Sequence, residues 1–271
     1  MLYDYTYIEK EISRFPTVFS LGHSHEHREI FCIKQGYGKT KIVLAAAFHG
    51  LEYLTGIALL DFAQKFQDMK EYHKKVTLYI VPLVNPDGVN IALYGLNPKN
   101  LYHQDLISHT GIIDFKNLWQ ANAQGVDINH NFNAEWKSVY DSPGPSKYGG
   151  PYPESEPETR AITHMLKIIR PEIFVAFHSQ GREIYYDFNG LENKTSKETA
   201  HNIAKTCGYT VAKPTGPAPF GGAKDWYIKE YTKEAFTIEL GQGKNPLPHS
   251  ELTDMKQDVI NICTYLISRN Y

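Results

Sequence analysis

A chain of 271 residues with 42% apolar side chains can bury a sizeable core, and it shows no linker-like composition shift, repeat or low-complexity tract, so one domain over residues 1–271 is expected. A formal charge of −2 with scattered basic residues excludes the basic stripe that nucleic acid requires, and no apolar run reaches membrane-spanning length. Cys32, Cys207 and Cys263 are odd in number and sit among core-like neighbours, and the first eleven residues carry acidic groups where a leader would be apolar, so a reduced, cytoplasmic protein is expected.

In chain order, His23, His25 and His27 alternate beside Glu26 and Arg28 and read as a solvated segment. The run at residues 41–48 is continuously apolar after Lys41, as in a strand buried on both faces, and His49 lies where that strand should end. Gly50 allows a tight turn and Glu52 comes three residues after His49, so one turn can aim an imidazole and a carboxylate at one point. A helix is expected over residues 55–66 and a strand over 76–84, then a turn at Asn-Pro-Asp-Gly, 85–88. Residues 98–119 lack periodicity and read as a long surface loop of the kind that walls clefts.

Ser155 and Glu158 have the spacing to start a helix whose apolar face includes Ala161, Met165 and Ile168. A second apolar run, 173–177, delivers His178 and Ser179 to a strand end. Arg182 is a candidate cation just beyond it, and Tyr185 and Tyr186 read as core stacking. Thr195 and Glu198 have capping-box spacing before a helix to Cys207. A third apolar segment, 236–238, delivers Glu239, and Leu252, Met255, Val259, Ile262 and Leu266 mark a C-terminal amphipathic helix.

Strands alternating with helices imply an α/β layered fold with a largely parallel sheet, in which ligands sit at strand ends. Buried strands ending in His or Glu would strand charge at a cost of several kcal/mol unless those groups are paired or metal-bound. Two His and one carboxylate suit zinc with a position left open for water, and a remaining glutamate can serve as general base.

On these motifs the chain resembles the M14 metallocarboxypeptidases. His49 and Glu52 match the His-x-x-Glu ligand pair, His178 the third ligand in His-Ser, and Glu239 the catalytic glutamate in Thr-x-Glu-Leu. The runs 85–88, 125–129 and 221–226 match in order. The resemblance implies a mixed eight-stranded sheet flanked by helices, one zinc ion per chain, and Asp127 as the carboxylate that fixes the His49 tautomer. It also places Asn129 and His130 in the substrate site.

The sequence departs from carboxypeptidases where those enzymes hold a C-terminal carboxylate and the oxyanion. Leu51, Gln120, His130 and Pro217 stand at positions otherwise taken by arginines, a basic residue and a tyrosine, and a His cannot reproduce a guanidinium fork. A narrower resemblance, to the γ-D-glutamyl-diaminopimelate peptidases of bacterial cell-wall metabolism, rests on the runs 155–159, 178–185, 215–217, 221–226 and 245–248. It implies a monozinc peptidase that cuts the γ-D-glutamyl amide bond in peptidoglycan stem peptides or muropeptides, with no nucleic-acid or membrane partner. Gln120, His130 and Arg182 are candidate oxyanion helpers. Lys224 stands where carboxypeptidases read the leaving side chain and would pair with a diaminopimelate carboxylate; pairing with Asp225 is the alternative. Two other functions fit parts of the pattern: a zinc deacylase of small N-acyl amino acids, and a catalytically silent muropeptide-binding protein.

Overall fold

The apolar runs are strands because only a sheet covered on both faces can bury every side chain of such a segment. In the computed structural model, which describes residues 2–111, 117–213 and 221–269, the strands are β1 (Val18–His23), β2 (Glu29–Gly36), β3 (Thr40–Ala46), β4 (Val76–Val81), β5 (Ile173–His178), β6 (Glu183–Tyr185), β7 (Thr210–Val211) and β8 (Glu234–Glu239). They form an eight-stranded sheet in the order β1-β2-β4-β3-β5-β8-β6-β7. The centre, β4-β3-β5-β8, is parallel. The β1-β2, β2-β4 and β6-β8 pairs are antiparallel, and β6 runs parallel to β7. The helices are α1 (Tyr5–Ile12), α2 (Tyr53–Phe66), α3 (Lys70–His73), α4 (Pro86–Tyr94), α5 (Leu101–Thr110), α6 (Pro157–Ile169), α7 (Ser196–Cys207), α8 (Ala223–Tyr231) and α9 (Leu252–Ser268).

Strand alternation divides the core into two layers. Ile42, Leu44, Val175 and Phe177 face α2, α7 and α9, while Val43, Ala45, Phe174 and Ala176 face α6 and α8. The stripe Met255, Val259, Ile262 and Leu266 of α9 is fully buried, as its spacing predicts. Burial of such side chains contributes roughly 1.5–3 kcal/mol each, which holds the central strands rigidly enough to aim the polar side chains at their ends. Among the described residues no helix is long and apolar enough to cross a membrane.

Several local expectations change. Asn85 begins a helix: its Oδ1 accepts from Gly88 N, Pro86 occupies the first helical position, and its Nδ2 donates to the carbonyls of Phe48 and Ala121. The expected loop at 98–119 contains α5, whose Leu106 packs with Trp119 and Leu96. Tertiary contacts stabilise that helix where its own periodicity is weak. Helix α6 buries Ala161, Ile162, Met165, Leu166 and Ile169, leaving Ile168 68% exposed at the edge of the stripe. Thr195 does not cap α7: its backbone is already helical, with φ −86° and ψ −13°, and its hydroxyl shares its one hydrogen between Asn193 Oδ1 and Glu234 Oε1. The 215–217 run lies outside the described residues.

The β1-β2 connection is anchored by charge. Arg28 pairs with Asp87 at 2.6 Å and also with Glu26, Ser24 Oγ donates to Asp87, and His103 Nε2 lies 2.9 Å from Glu26. His25 turns inward to Glu156, 2.8 Å away, unlike the solvated reading of its segment. Behind it Glu158 is completely buried, its Oε1 has no hydrogen-bond partner, and its Oε2 accepts from Asn122 Nδ2 at 3.2 Å. Burial pushes the Glu158 carboxyl up to about 7, with His25 opposing and Asp87 and Glu156 assisting.

This raised carboxyl makes stability depend on pH. The folded carboxyl keeps its proton after the unfolded one, near its ordinary 4.5, has lost it. The stabilisation is therefore complete below pH 4.5 and is lost as pH rises through about 7, by about 3 kcal/mol in all. Glu158→Gln cannot titrate, so its urea-unfolding free energy should gain on that of the natural protein by about this amount between pH 4.5 and 8. A constant difference across that range would refute the buried-proton account.

Candidate metal centre

Three strand ends build the site. Strand β3 ends at Ala46, and Ala47 turns the chain with a left-handed φ of 53°, a conformation that costs a non-glycine residue about 1 kcal/mol. Thr55 holds this turn, its Oγ1 accepting from Ala47 N and donating to the Glu52 carbonyl. Gly50 sits against the start of α4, where a Cβ would come within 2.3 Å of the Gly88 carbonyl oxygen. Its role is this close approach, since its φ is not positive. Strand β5 ends in His178, and its parallel neighbour β8 ends in register at Glu239. Across β8 the antiparallel β6 begins with Glu183, also opposite Glu239.

Glu52 is the hub. One oxygen lies 2.9 Å from His49 Nδ1 and the other 2.9 Å from His178 Nδ1, with the carboxylate almost fully buried. His49 Nε2 faces Asp127 Oδ1 at 3.1 Å, which places a proton on Nε2 and leaves Nδ1 directed at Glu52 as the ligand nitrogen for a metal. Asp127 is itself fixed by the Lys147 amide, which donates to its Oδ2 at 2.9 Å. The His178 ring stacks on Phe48 at 5.1 Å, and its buried Nε2 has no partner, so Nδ1 is its one polar contact. Asn245 completes the setting. Its Nδ2 donates to the Ser179 carbonyl at 2.6 Å and to Glu52 Oε1 at 3.4 Å, while its Oδ1 accepts from Ser179 Oγ.

The electrostatics result from this packing. Burial pushes Glu52 up, but His49 and His178 outweigh it and hold the carboxyl down at about 2. Burial opposes a proton on His49, yet Glu52 and Asp127 carry its pKa well above the usual imidazole range. Burial opposes ionisation of Asp127 as well, and His49 and His130 override it, so its pKa falls far below the usual carboxylate range. Glu239 moves the other way: burial first, then Glu52 and Glu183, push it well above the carboxylate range. Two imidazole nitrogens facing both oxygens of one buried carboxylate can share protons with it or hold a cation among them. His49, Glu52 and His178 each offer a ligand atom within 4.8 Å of the others, and a His2Glu donor set fits zinc.

A second group, His25, Glu156 and Glu158, has the same span. There Asn122 Nδ2 already donates to Glu156 Oε2 at 2.6 Å and to Glu158 Oε2 at 3.2 Å. Its orientation is fixed, because its Oδ1 accepts from Gln124 N and Val126 N. Amide hydrogens aimed at the carboxylates suit a hydrogen-bonded network and repel a metal ion.

A cleft of about 530 Å³ opens over the first group, lined by His49, Leu51, Glu52, Gln120, Ser179, Glu183, Tyr185, Glu239, Lys147, Lys244 and Asn245, among others. Of the sequence candidates, His49, Glu52, Glu239 and Gln120 line it directly, with His178 and Asp127 behind them. Arg182 does not line it: its guanidinium lies 3.9 Å from Asp254, on the α9 side. His130 Nε2 lies 3.9 Å from Asp127 Oδ2, and Asn129 Oδ1 accepts from Ala223 N at the start of α8. Lys224 is buried, its Nζ 2.6 Å from Asp225 Oδ1 and donating to the Asp187 carbonyl, so the alternative of pairing with Asp225 is the one realised. Tyr185, expected in the core, is in the cleft. Sequence reading missed Glu183, Lys147, Lys244 and Asn245. Glu183 and Tyr185 alternate just after His178 and so could have been placed on the Glu239 face, whereas the others lie in loops without periodic signal.

The chain matches the zinc carboxypeptidase (M14 peptidase) family over residues 4–261. It is 30% identical over 282 residues to gamma-D-glutamyl-L-diamino acid endopeptidase 1 of Lysinibacillus sphaericus, an alignment covering 96% of this chain and 71% of that one. Bovine thrombin-activatable fibrinolysis inhibitor, solved with tick carboxypeptidase inhibitor, has the same fold: TM-score 0.76 at 22% identity, over 97% of this chain and 94% of that one. Murein-tripeptide amidase MpaA from Escherichia coli O157 also shares it, with a TM-score of 0.61 at 20% identity over 97% and 96% of the two chains. A family match across most of the chain, together with that 30% identical relative, establishes that this protein belongs to the M14 zinc carboxypeptidase family.

Proposed function

We propose that this chain is a single catalytic domain, residues 1–271, that binds one zinc ion through His49, Glu52 and His178 and hydrolyses the γ-D-glutamyl amide bond to a diamino acid in peptidoglycan-derived peptides. One observation carries the choice within the family: among the described residues that line the cleft there is no arginine. A site without a guanidinium fork is poorly suited to an α-peptide's terminal carboxylate. The identity with a γ-D-glutamyl-L-diamino acid endopeptidase supports a γ-linked substrate instead. Cys32, Cys207 and Cys263 are free thiols, which supports a reducing compartment such as the cytoplasm.

When bound, zinc supplies Lewis-acid charge that makes water acidic enough to ionise near neutral pH. The chain does the rest. Glu239, at the end of β8 and facing the cleft, would be ionised once positive charge held by His49, Glu52 and His178 offsets the burial and the Glu52 repulsion that raise it, and it then accepts the proton of the attacking water and returns it to the leaving amine. Asp127 holds the His49 ring, and Asn245 holds Glu52 and Ser179 in one frame. Gln120 lines the cleft beside His49 and is the best placed of the three candidate helpers to donate to the developing oxyanion. Lys224, already paired with Asp225, has no substrate role in this scheme.

The metal assignment is checked by elemental analysis. Purified protein should hold one zinc per chain, and His178→Ala should lose most of it. Asp127→Asn should weaken metal affinity or activity by about 10- to 100-fold. Glu239→Gln should keep the metal while kcat falls by about 10²- to 10⁴-fold; near-normal turnover in that variant would overturn the assigned base.

The substrate assignment is checked by mass-spectrometric product analysis. The γ-D-glutamyl tripeptide should be cleaved at the γ-linkage, and α-peptides with free C-termini should react at least roughly a hundredfold more slowly in kcat/KM. Efficient release of C-terminal Phe or Lys would replace this reading with ordinary carboxypeptidase action. Preferential hydrolysis of simple N-acyl amino acids would replace it with deacylation, and no turnover of any amide with zinc bound would indicate a binding protein.

A further inference from the structure

Glu183 is a carboxylate that the mechanism above leaves unused. It begins β6 directly opposite Glu239 in the antiparallel β6-β8 pair, which puts both side chains on the same face of the sheet. Tyr185, two residues on, shares that face, and its hydroxyl donates to Glu183 Oε2 at 2.5 Å. All three line the cleft that holds His49 and Glu52. The phenol fixes one carboxylate oxygen and leaves the rest of the group facing the cleft.

What Glu183 lacks is a cation. Several other carboxylates with little exposure have one: Glu26 and Asp87 share Arg28, Asp225 has Lys224, and Glu234 has Arg269, while Glu158 keeps a proton instead. Glu52 and Glu239 would be balanced by a divalent ion at the centre. Glu183 forms no ion pair with a described residue: Lys147 and Lys244 line the same cleft without pairing with it, and the nearby Arg182 is turned toward Asp254. A half-buried carboxylate beside a second one is repelled by it, so this arrangement gains most when a ligand brings positive charge into the cleft.

We infer that Glu183, oriented by Tyr185, is the specificity residue that binds the free side-chain ammonium of the leaving diamino acid. The inference rests on the γ-D-glutamyl-diamino acid reading. A substrate of that class carries carboxylates on both sides of the scissile bond, and the second amino group of the diamino acid is the positive charge nearest to it. A primary ammonium donates three hydrogen bonds and can bridge Glu183 while the amide carbonyl lies at the metal ligands. The site would therefore accept L-lysine and meso-diaminopimelate alike and discriminate against an apolar side chain of the same length.

The test uses the zinc-loaded full chain and three γ-D-glutamyl substrates that differ only in the leaving residue: meso-diaminopimelate, L-lysine and L-norleucine, the last having no ammonium. The natural protein should prefer the first two over norleucine by about 10- to 150-fold in kcat/KM, mostly through KM. Glu183→Gln should lose most of that preference, with the decrease concentrated on the ammonium-bearing substrates and zinc content unchanged. Glu183→Asp, which keeps the charge, should retain part of the preference, and Tyr185→Phe should weaken it less than Glu183→Gln does. Equal losses on all three substrates, or no preference for lysine over norleucine in the natural protein, would overturn this assignment while leaving the γ-glutamyl reading intact. Failure of the natural protein to cleave any of the three would overturn both.

Discussion

The convergence of two imidazoles on one buried carboxylate is the constraint on which the rest of the site depends. Glu52 keeps both oxygens within 2.9 Å of ring nitrogens; His178 comes from the end of β5, and His49 and Glu52 from the turn between β3 and α2. Buried polar groups cost several kcal/mol when unpaired, so this arrangement persists only because the surroundings fix it, and it offers a donor set that a cation can complete. The surroundings do fix it. Asp127 orients His49, Phe48 stacks on His178, Asn245 ties Glu52 to Ser179, and Thr55 holds the turn at Ala47.

The sheet explains why so few polar residues can be held so closely. Strands β3, β5 and β8 are parallel and in register, and both faces are covered by helices, so their ends form one rigid edge. His178 and Glu239 are neighbours because the β5-β8 register makes them so. A slip of one residue would turn either side chain to the other face. The apolar core thus sets the position of the general base relative to the metal ligands, and departures in the loops alter what binds without altering what reacts.

Charge compensation distinguishes the two polar clusters of the molecule. At the β1-β2 connection, Arg28, His25, His103 and the Asn122 amide satisfy Glu26, Asp87, Glu156 and one oxygen of Glu158 internally. That network braces loops against α5 and α6. At the cleft, Glu239 and Glu183 stand side by side, and among the described residues neither forms an ion pair although Lys147 and Lys244 line the same cleft; burial together with Glu52 holds Glu239 well above its ordinary range. A self-satisfied cluster stabilises the fold, whereas an uncompensated one is completed by what binds to it.

The sequence alone determined the parts that depend on local pattern and residue chemistry. Continuous apolar runs located β3, β5 and β8, their polar ends located His49, Glu52, His178 and Glu239, and the 3.6-residue stripe located α9. The tertiary structure decided what depends on contacts between distant segments. Helix α5 forms because Leu106 meets Trp119 and Leu96, Asn85 caps a helix because it also bridges the carbonyls of Phe48 and Ala121, and Lys224 is spent on Asp225. Arg182 turns away and Tyr185 turns in because strand alternation after Gly181 sends odd positions to the Glu239 face. Lys147, Lys244 and Asn245 gather around the centre from two separate loops, and nothing in the spacing of residues along a chain encodes which loops will meet.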